Sequence, residues 1–209
     1  MNLFKNIFGI FMLALLWSLP MQAQQKPAAK KPASDSIPSK EAYLEMKGIV
    51  HESKGMLKED AHPLDSALIT IYQGEVPYSE FWTNKKGKCS FKLPLDKNFK
   101  IEVSKKGYVT KFFEVNSKVP FEKRNTFTFI FDIDIFEEIK GLDVAALSKP
   151  IAKVSYNLIS EQFVYDVNYT SRINFDLKKL YKNYYMLQKI EADSVSAGQA
   201  DSLQHHKKK

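Results

Sequence analysis

Residues 83–108 read TNKKGKCSFKLPLDKNFKIEVSKKGY, in which lysines and two glycines surround short apolar beats. A loop that grips phosphate and a sheet with a cationic outer face share that composition. A phosphate loop needs its glycine-rich segment to open a helix with converging amides, and a hydroxyl residue after the lysine. Here Cys89 follows Lys88 and no helical period begins. Alternation of period two begins instead: Cys89, Phe91 and Leu93 share one side, and Lys88, Ser90 and Lys92 the other. The same holds for Phe99, Ile101 and Val103 against Lys100, Glu102 and Ser104. Asn84–Gly87 then forms a hairpin turn, with Gly87 supplying the positive φ that such a loop demands. The stretch is therefore read as two neighbouring strands that share one basic outer face.

Outward from this pair, the chain from Glu45 to Phe136 keeps the strand pattern and is broken regularly by turn residues. Strands are expected near 45–52, 66–73, 79–83, 88–93, 98–104, 108–115 and 125–136. That spacing predicts a mainly β chain, a seven-stranded antiparallel β-sandwich. The last strand is the most regular. Phe127, Phe129, Phe131, Ile133 and Ile135 point one way, and Thr126, Thr128, Asp132 and Asp134 the other, with Ile130 an apolar exception on the exposed face.

In chain order, MKGIVHE (46–52), HPLDSALITIY (62–72) and FWTNKKGKCSFKLPLDKNFKIEVSKKGY (81–108) resemble the carboxypeptidase regulatory-like domain, a transthyretin-like β-sandwich common in exported bacterial proteins. Gly48, Val50, Pro63, Leu64, Ala67, Ile69, Thr83, Gly87, Phe91, Gly107 and Tyr108 fall on that family's pattern. Asn84 stands where Asp is usual and Cys89 where an aromatic is usual, swaps that keep the turn chemistry or the burial. The resemblance implies a transthyretin-like fold. It implies no single function, because such domains accompany peptidases and also occur as bare envelope, adhesion or scaffold modules.

The first residues bear on the compartment. Lys5 precedes an apolar run from Ile7 to Trp17, followed by Pro20 and a small residue at Ala23, the pattern of a secretory signal peptide over 1–23. The run is too short for a spanning helix. Residues 24–42, rich in Pro, Ala, Lys and Ser, are expected to form a flexible linker before a sandwich at 43–136. An exported protein of the periplasm or cell surface follows. Cys89, the one cysteine, has no partner within the chain and is expected to be a buried free thiol. An excess of Lys+Arg (31) over Asp+Glu (24) permits an anionic partner such as lipid head groups or an anionic polysaccharide. Nucleic acid is not expected as a partner.

Chemistry-bearing patterns are sparse. His51, His62, His205 and His206 lack the His-x-x-Glu spacing of a zinc peptidase and have no nucleophile motif beside them. Asp132 and Asp134 form an Asp-x-Asp pair, but strand alternation alone accounts for two outward carboxylates. No catalytic residue, cofactor or metal is therefore expected, and the chain is read as not an enzyme. Alternation lets only one of Phe81 and Trp82 enter the core; an exposed Trp82 beside Lys88, Lys92 and Lys100 is a candidate ligand face for an anionic glycan. Asp-Ser-aliphatic tripeptides centred on Ser36, Ser66, Ser194 and Ser202 resemble the O-glycosylation acceptor of exported proteins in some Gram-negative bacteria. Ser36, Ser194 and Ser202, in segments read as flexible, are the candidate glycosylation sites, although Asp-Ser is equally turn and cap chemistry.

After the sandwich, residues 137–191 are read as an extension. Asp143 caps a short helical turn that Pro150 ends, and Val154, Tyr156 and Leu158 mark an added strand. From Val167 the period changes: Ile173, Leu177, Leu180, Tyr184 and Leu187 form one apolar seam on a helix over about 167–190. The seam packs on the protein's own sheet, on a second copy, or on another envelope protein. Residues 192–209 are expected to be a disordered polar tail. Together these features point to a non-catalytic exported protein-binding or scaffold module, with a carbohydrate-binding module as the alternative.

Overall fold

The computed structural model describes residues 41–54 and 61–206, with side chains as far as residue 196. The expected signal peptide, most of the linker and Ser36 lie outside the described residues. The elements are β1 (Tyr43–Ser53), β2 (Ala61–Pro63), β3 (Leu68–Gln73), β4 (Val76–Trp82), β5 (Lys88–Pro94), β6 (Asn98–Ser104), β7 (Lys111–Asn116), β8 (Phe127–Ile135), β9 (Lys153–Asn157), β10 (Gln162–Tyr165) and α1 (Val167–His206). The chain is a β-sandwich with a C-terminal strand and helix extension. β2 and β10 were not expected; at three and four residues they are too short to show a period.

In the first sheet β1 is central, paired in parallel with β8 on one side and antiparallel with β5 and β2 on the other. The second sheet runs β10-β9-β7-β6-β3-β4. This corrects the reading of the opening stretch. β5 pairs with β1, whereas β6 lies between β3 and β7, so the two strands sit in different sheets and share no outer face. Alternation identifies the inward side of each strand but not the sheet it joins, and the turn after Pro94 crosses from one layer to the other.

The Thr83–Gly87 motif has a joining role that its turn chemistry explains. Thr83 Oγ1 donates to the Leu64 carbonyl (2.7 Å) and accepts from the Ala67 amide (2.9 Å), tying the two sides of the hairpin's base. Asn84 Oδ1 accepts from the amides of Lys86 and Lys88, and Gly87, at φ +67°, accepts from the Val50 amide at 2.8 Å. A side chain at Gly87 would collide with the Val50 carbonyl, so the glycine is needed for contact as well as conformation.

Between the sheets, Leu44, Met46 and Val50 of β1 meet Ile69, Ile101, Val103 and Phe113 of the opposite layer, with the odd-numbered residues of β8 closing the core. Gly48 is buried because the Phe131 ring lies over it; an added Cβ would stand 2.1 Å from the ring carbon Cζ. A second, smaller core of Val109, Phe136, Leu147, Leu180 and Tyr184 docks α1. The helix continues to His206, past the expected end near residue 190. Its apolar seam stops at Leu187, so periodicity stops there too, but the following residues include good helix formers and no proline.

Two outcomes follow from this packing. Gly48→Ala forces the Phe131 ring out of place and should destabilise the fold by about 1–3 kcal/mol in denaturant melts, an effect that Phe131→Leu relieves. Burial pushes the half-buried Cys89 thiol up to about 11, against a weaker opposing hydrogen bond from Gly48. At pH 8, disulfide reagents should therefore modify Cys89 far more slowly in native protein than in urea.

Candidate functional site

The pairing of β1 determines which backbone groups of β8 are left over. The Val50 amide and carbonyl bond to Gly87 and Leu64, so the even-numbered residues of β1 face β5 and β2, and the odd-numbered ones face β8. In the parallel register Lys47↔Ile130, those odd residues engage the odd residues of β8. Thr128, Ile130, Asp132 and Asp134 therefore aim their amides and carbonyls away from β1. Among the described residues no strand pairs with that edge.

A cleft of about 730 Å³ runs along it. Phe113, Phe131, Ile133, Ile151 and Ala152 give an apolar floor, Thr170, Asn174, Leu177 and Lys178 of α1 form a wall, and Ile130 and Asp132 stand on the rim. At one end the wall is clamped to the sheets. Lys111 falls on the inward side of β7, with Phe113 and Val115, and its side chain is 2% exposed. Its ammonium donates to the Asp134 carbonyl and to the Tyr181 hydroxyl, and lies 3.3 Å from Asp134 Oδ2. Tyr181 donates to the same carboxylate oxygen at 2.5 Å. The ammonium also lies 4.7 Å from the Tyr181 ring centroid and 5.1 Å from that of Phe136.

Three elements, β7, β8 and α1, thus meet at one charge. Burial drives the Lys111 amine below its ordinary value, and the Asp134 carboxylate opposes that. Burial alone would raise Asp134, but Lys111 and Tyr181 outweigh it and hold the carboxyl below its ordinary value. Burial and then the Asp134 charge push the Tyr181 phenol up, so it serves as a neutral donor. The Ser53 and Tyr185 hydroxyls bond at 3.0 Å, a second polar link between sheet and helix, and Tyr108 donates to Glu52, the neighbour of Ser53, at 2.7 Å.

The residues singled out from sequence are distributed differently. Trp82 is 64% exposed on edge strand β4, while Phe81 turns inward to stack on Phe91. Lys88 and Lys92 lie on the outer face of the first sheet, Lys92 above the Tyr43 ring. Lys100 lies on the outer face of the second, paired with Glu102 at 3.0 Å and held over Tyr72. The expected basic ligand face is therefore not assembled, for the sheet-crossing reason given above. Ile173, Leu180 and Tyr184 are buried in the protein's own structure, with Leu177 and Leu187 partly buried, so the seam is not an open partner surface. Ser194 and Ser202 lie in α1 rather than in a flexible segment.

Asp134 was read as a solvent-side strand residue, and neither Lys111 nor Tyr181 was singled out. One signal was present: Lys111 occupies a core position in the alternation KFFEV. Among the described residues no three potential ligands gather as a metal site.

No protein-family model matches the chain, and no curated protein does. Solved structures similar to it include the TIE protein of Bacillus anthracis, 19% identical over 46% of this chain and 18% of that one, with a TM-score of 0.36. GBS52, the minor pilin of Streptococcus agalactiae, is 12% identical over 47% of this chain and 46% of that one, with a TM-score of 0.35. Catechol 1,2-dioxygenase from Acinetobacter sp. ADP1 is 13% identical over 56% of this chain and 59% of that one, with a TM-score of 0.37. The chain thus spans less than two thirds of the length of each. The expectation that the chain is not an enzyme is corrected by this company: catechol dioxygenases stand among the similar structures, and a missing sequence motif does not exclude chemistry.

The clamp makes an asymmetric prediction. Asp134→Ala strands a buried ammonium and should cost about 3–5 kcal/mol, whereas Lys111→Met leaves a carboxylate that turns to water and should cost less. Chemical denaturation of the two variants measures the difference. With its carboxyl held low, folded Asp134 takes up a proton less readily than the unfolded chain. Its stabilisation is complete above the ordinary carboxylate range and is lost as pH falls from there through its lowered value. The melting temperature of Asp134→Asn should accordingly fall less steeply than that of the parent below about pH 4.

Proposed function

We propose that the chain is an exported protein-binding module that takes an extended segment of a second envelope protein as an added strand along the free edge of β8. The observation that carries this reading is the row of outward backbone groups at Ile130 and Asp132 in an apolar-floored cleft, continued beyond it along the same edge by Thr128. Unpaired strand edges are usually guarded. β4 carries Pro77 and faces β3 across a register irregularity, β5 carries Lys88, Lys92 and Pro94, and β10 is four residues long. β8 is nine residues long and has neither proline nor lysine.

Strand addition would supply main-chain bonds over about five residues, roughly 17 Å. Alternate side chains of the segment would enter the floor beside Phe113 and Ile151, while the others lie outside next to Ile130. Asp132 on the rim disfavours an acidic residue opposite it. Export rests on the reading of residues 1–23; among the described residues no helix is long and apolar enough to cross a membrane. The glycan reading has lost its assembled face.

The test is a photo-crosslinking residue placed at Thr128 in the full chain in its native envelope. A stoichiometric protein adduct is expected, and Ile130→Pro, which removes one outward amide but no bond to β1, should reduce it at least tenfold while the thermal melt persists. Failure to capture any protein, or capture that Ile130→Pro leaves intact, overturns strand addition.

A further inference from the structure

The inner side of α1 is taken up by the core, where Ile173, Leu180 and Tyr184 are buried. Its opposite side carries a second pattern. Arg172, Phe175, Lys179, Lys182, Met186 and Ile190 follow one another at steps of three, four, three, four and four, which places them on one stripe. All six are exposed, Phe175 at 77%, Met186 at 55% and Ile190 at 61%. Lys178 and Lys189, four before and seven after Lys182, are exposed beside it. From end to end the stripe measures about 27 Å. One exposed apolar residue on a helix needs no explanation, but three on a single stripe contribute nothing to the core.

The charge on this side is unbalanced. Between Val167 and Ile190 the helix holds five cations, Arg172 and Lys178, Lys179, Lys182 and Lys189, against one acid, Asp176. Asp176 is engaged by Lys149, which precedes β9, at 3.8 Å. Among the described residues none of the five cations forms an ion pair. The next acids, Glu191 and Asp193, come only where the stripe ends, and Asp134, which faces the helix from the sheet, is occupied by Lys111.

From this arrangement we infer that the outer face of α1 lies on an anionic phospholipid surface. Phe175, Met186 and Ile190 enter the boundary between headgroups and acyl chains. The lysines lay their stems along that apolar ridge and extend their ammonium groups to lipid phosphates. A second copy of the chain would bring the same five charges against these. A protein groove would have to bury Lys179 and Lys182 in the middle of the stripe, whereas lysine is depleted from protein interfaces. A lipid surface requires neither, because its headgroups pair the ammonium groups while they stay hydrated. Strand addition at β8 uses another side of α1, the wall with Thr170 and Asn174, so the two readings stand separately.

The test uses the full chain with an environment-sensitive fluorescent amino acid at position 175. Vesicles of phosphatidylglycerol and phosphatidylcholine should shift its emission to the blue and lipids brominated in the tails should quench it, whereas phosphatidylcholine alone should do neither. Lys179→Glu with Lys182→Glu should lower vesicle partitioning at least tenfold while the thermal melt persists; Lys178 is left in place because it lines the cleft. Flotation with vesicles while the probe stays unquenched would assign binding to another part of the chain and overturn the proposal. Absence of vesicle binding overturns it equally. So does a shift that polyglutamate produces as strongly as vesicles do, which would assign the face to an acidic protein. If the charge-reversed variant fails to fold, tail quenching at position 175 decides alone.

Discussion

One ammonium group, that of Lys111, holds together parts that hydrophobic packing alone would leave loosely joined. β7 belongs to one sheet, β8 to the other, and α1 to neither, yet β7 supplies the charge while Asp134 of β8, the adjoining Phe136 and Tyr181 of α1 supply the oxygens and ring faces around it. A buried ion pair of this kind is weak evidence for net stability, because desolvation consumes much of the Coulombic gain. Its effect here is directional. An aliphatic residue at position 111 would fill space without selecting a partner, whereas the ammonium accepts only an arrangement that presents a carboxylate, a carbonyl and a phenol at once. The helix is thereby set at one height along the sheet edge, and the width of the cleft beneath it follows.

The remainder of the sandwich relies on close approaches that spare no room. Phe131 occupies the space that a side chain on Gly48 would take, which locks the neighbouring strands β1 and β8 in register. At the other side of β1, Gly87 brings the β4–β5 turn against the Val50 amide. A glycine is thus needed within the central strand to admit a ring, and another beside it to admit a backbone.

Most strands were legible because a half-buried strand must alternate, and Phe127 through Ile135 could hardly do otherwise. What alternation does not encode is partnership. The five residues from Pro94 to Asn98 give no sign that the chain changes sheets, so Lys92 and Lys100 seemed neighbours while in fact facing away from each other. The helix seam was legible for a similar reason, but whether its partner was internal depended on Val109, Phe136 and Leu147, which lie in segments without periodicity. The clamp was hardest to foresee. Its members are separated widely in sequence, and the exposed-side assignment of Asp134 was sound for the strand and misleading for the residue, since a helix folds back to cover it. Lys111 alone broke a local rule, a charge at a core position, and such a breach marks the place to look.

The parallel pairing of β1 with β8 has a temporal consequence. β1 is the first strand of the sandwich to leave the ribosome, yet one flank of this central strand stays open until Phe127 to Ile135 have been made. Local hairpins such as β3–β4 and β6–β7 close early, but the layer built on β1 waits for nearly the whole domain, a non-local topology that slows folding. Until that last strand is in place the part made first lacks its permanent neighbour, so the layer built on β1 sets as one unit at the end of folding rather than strand by strand.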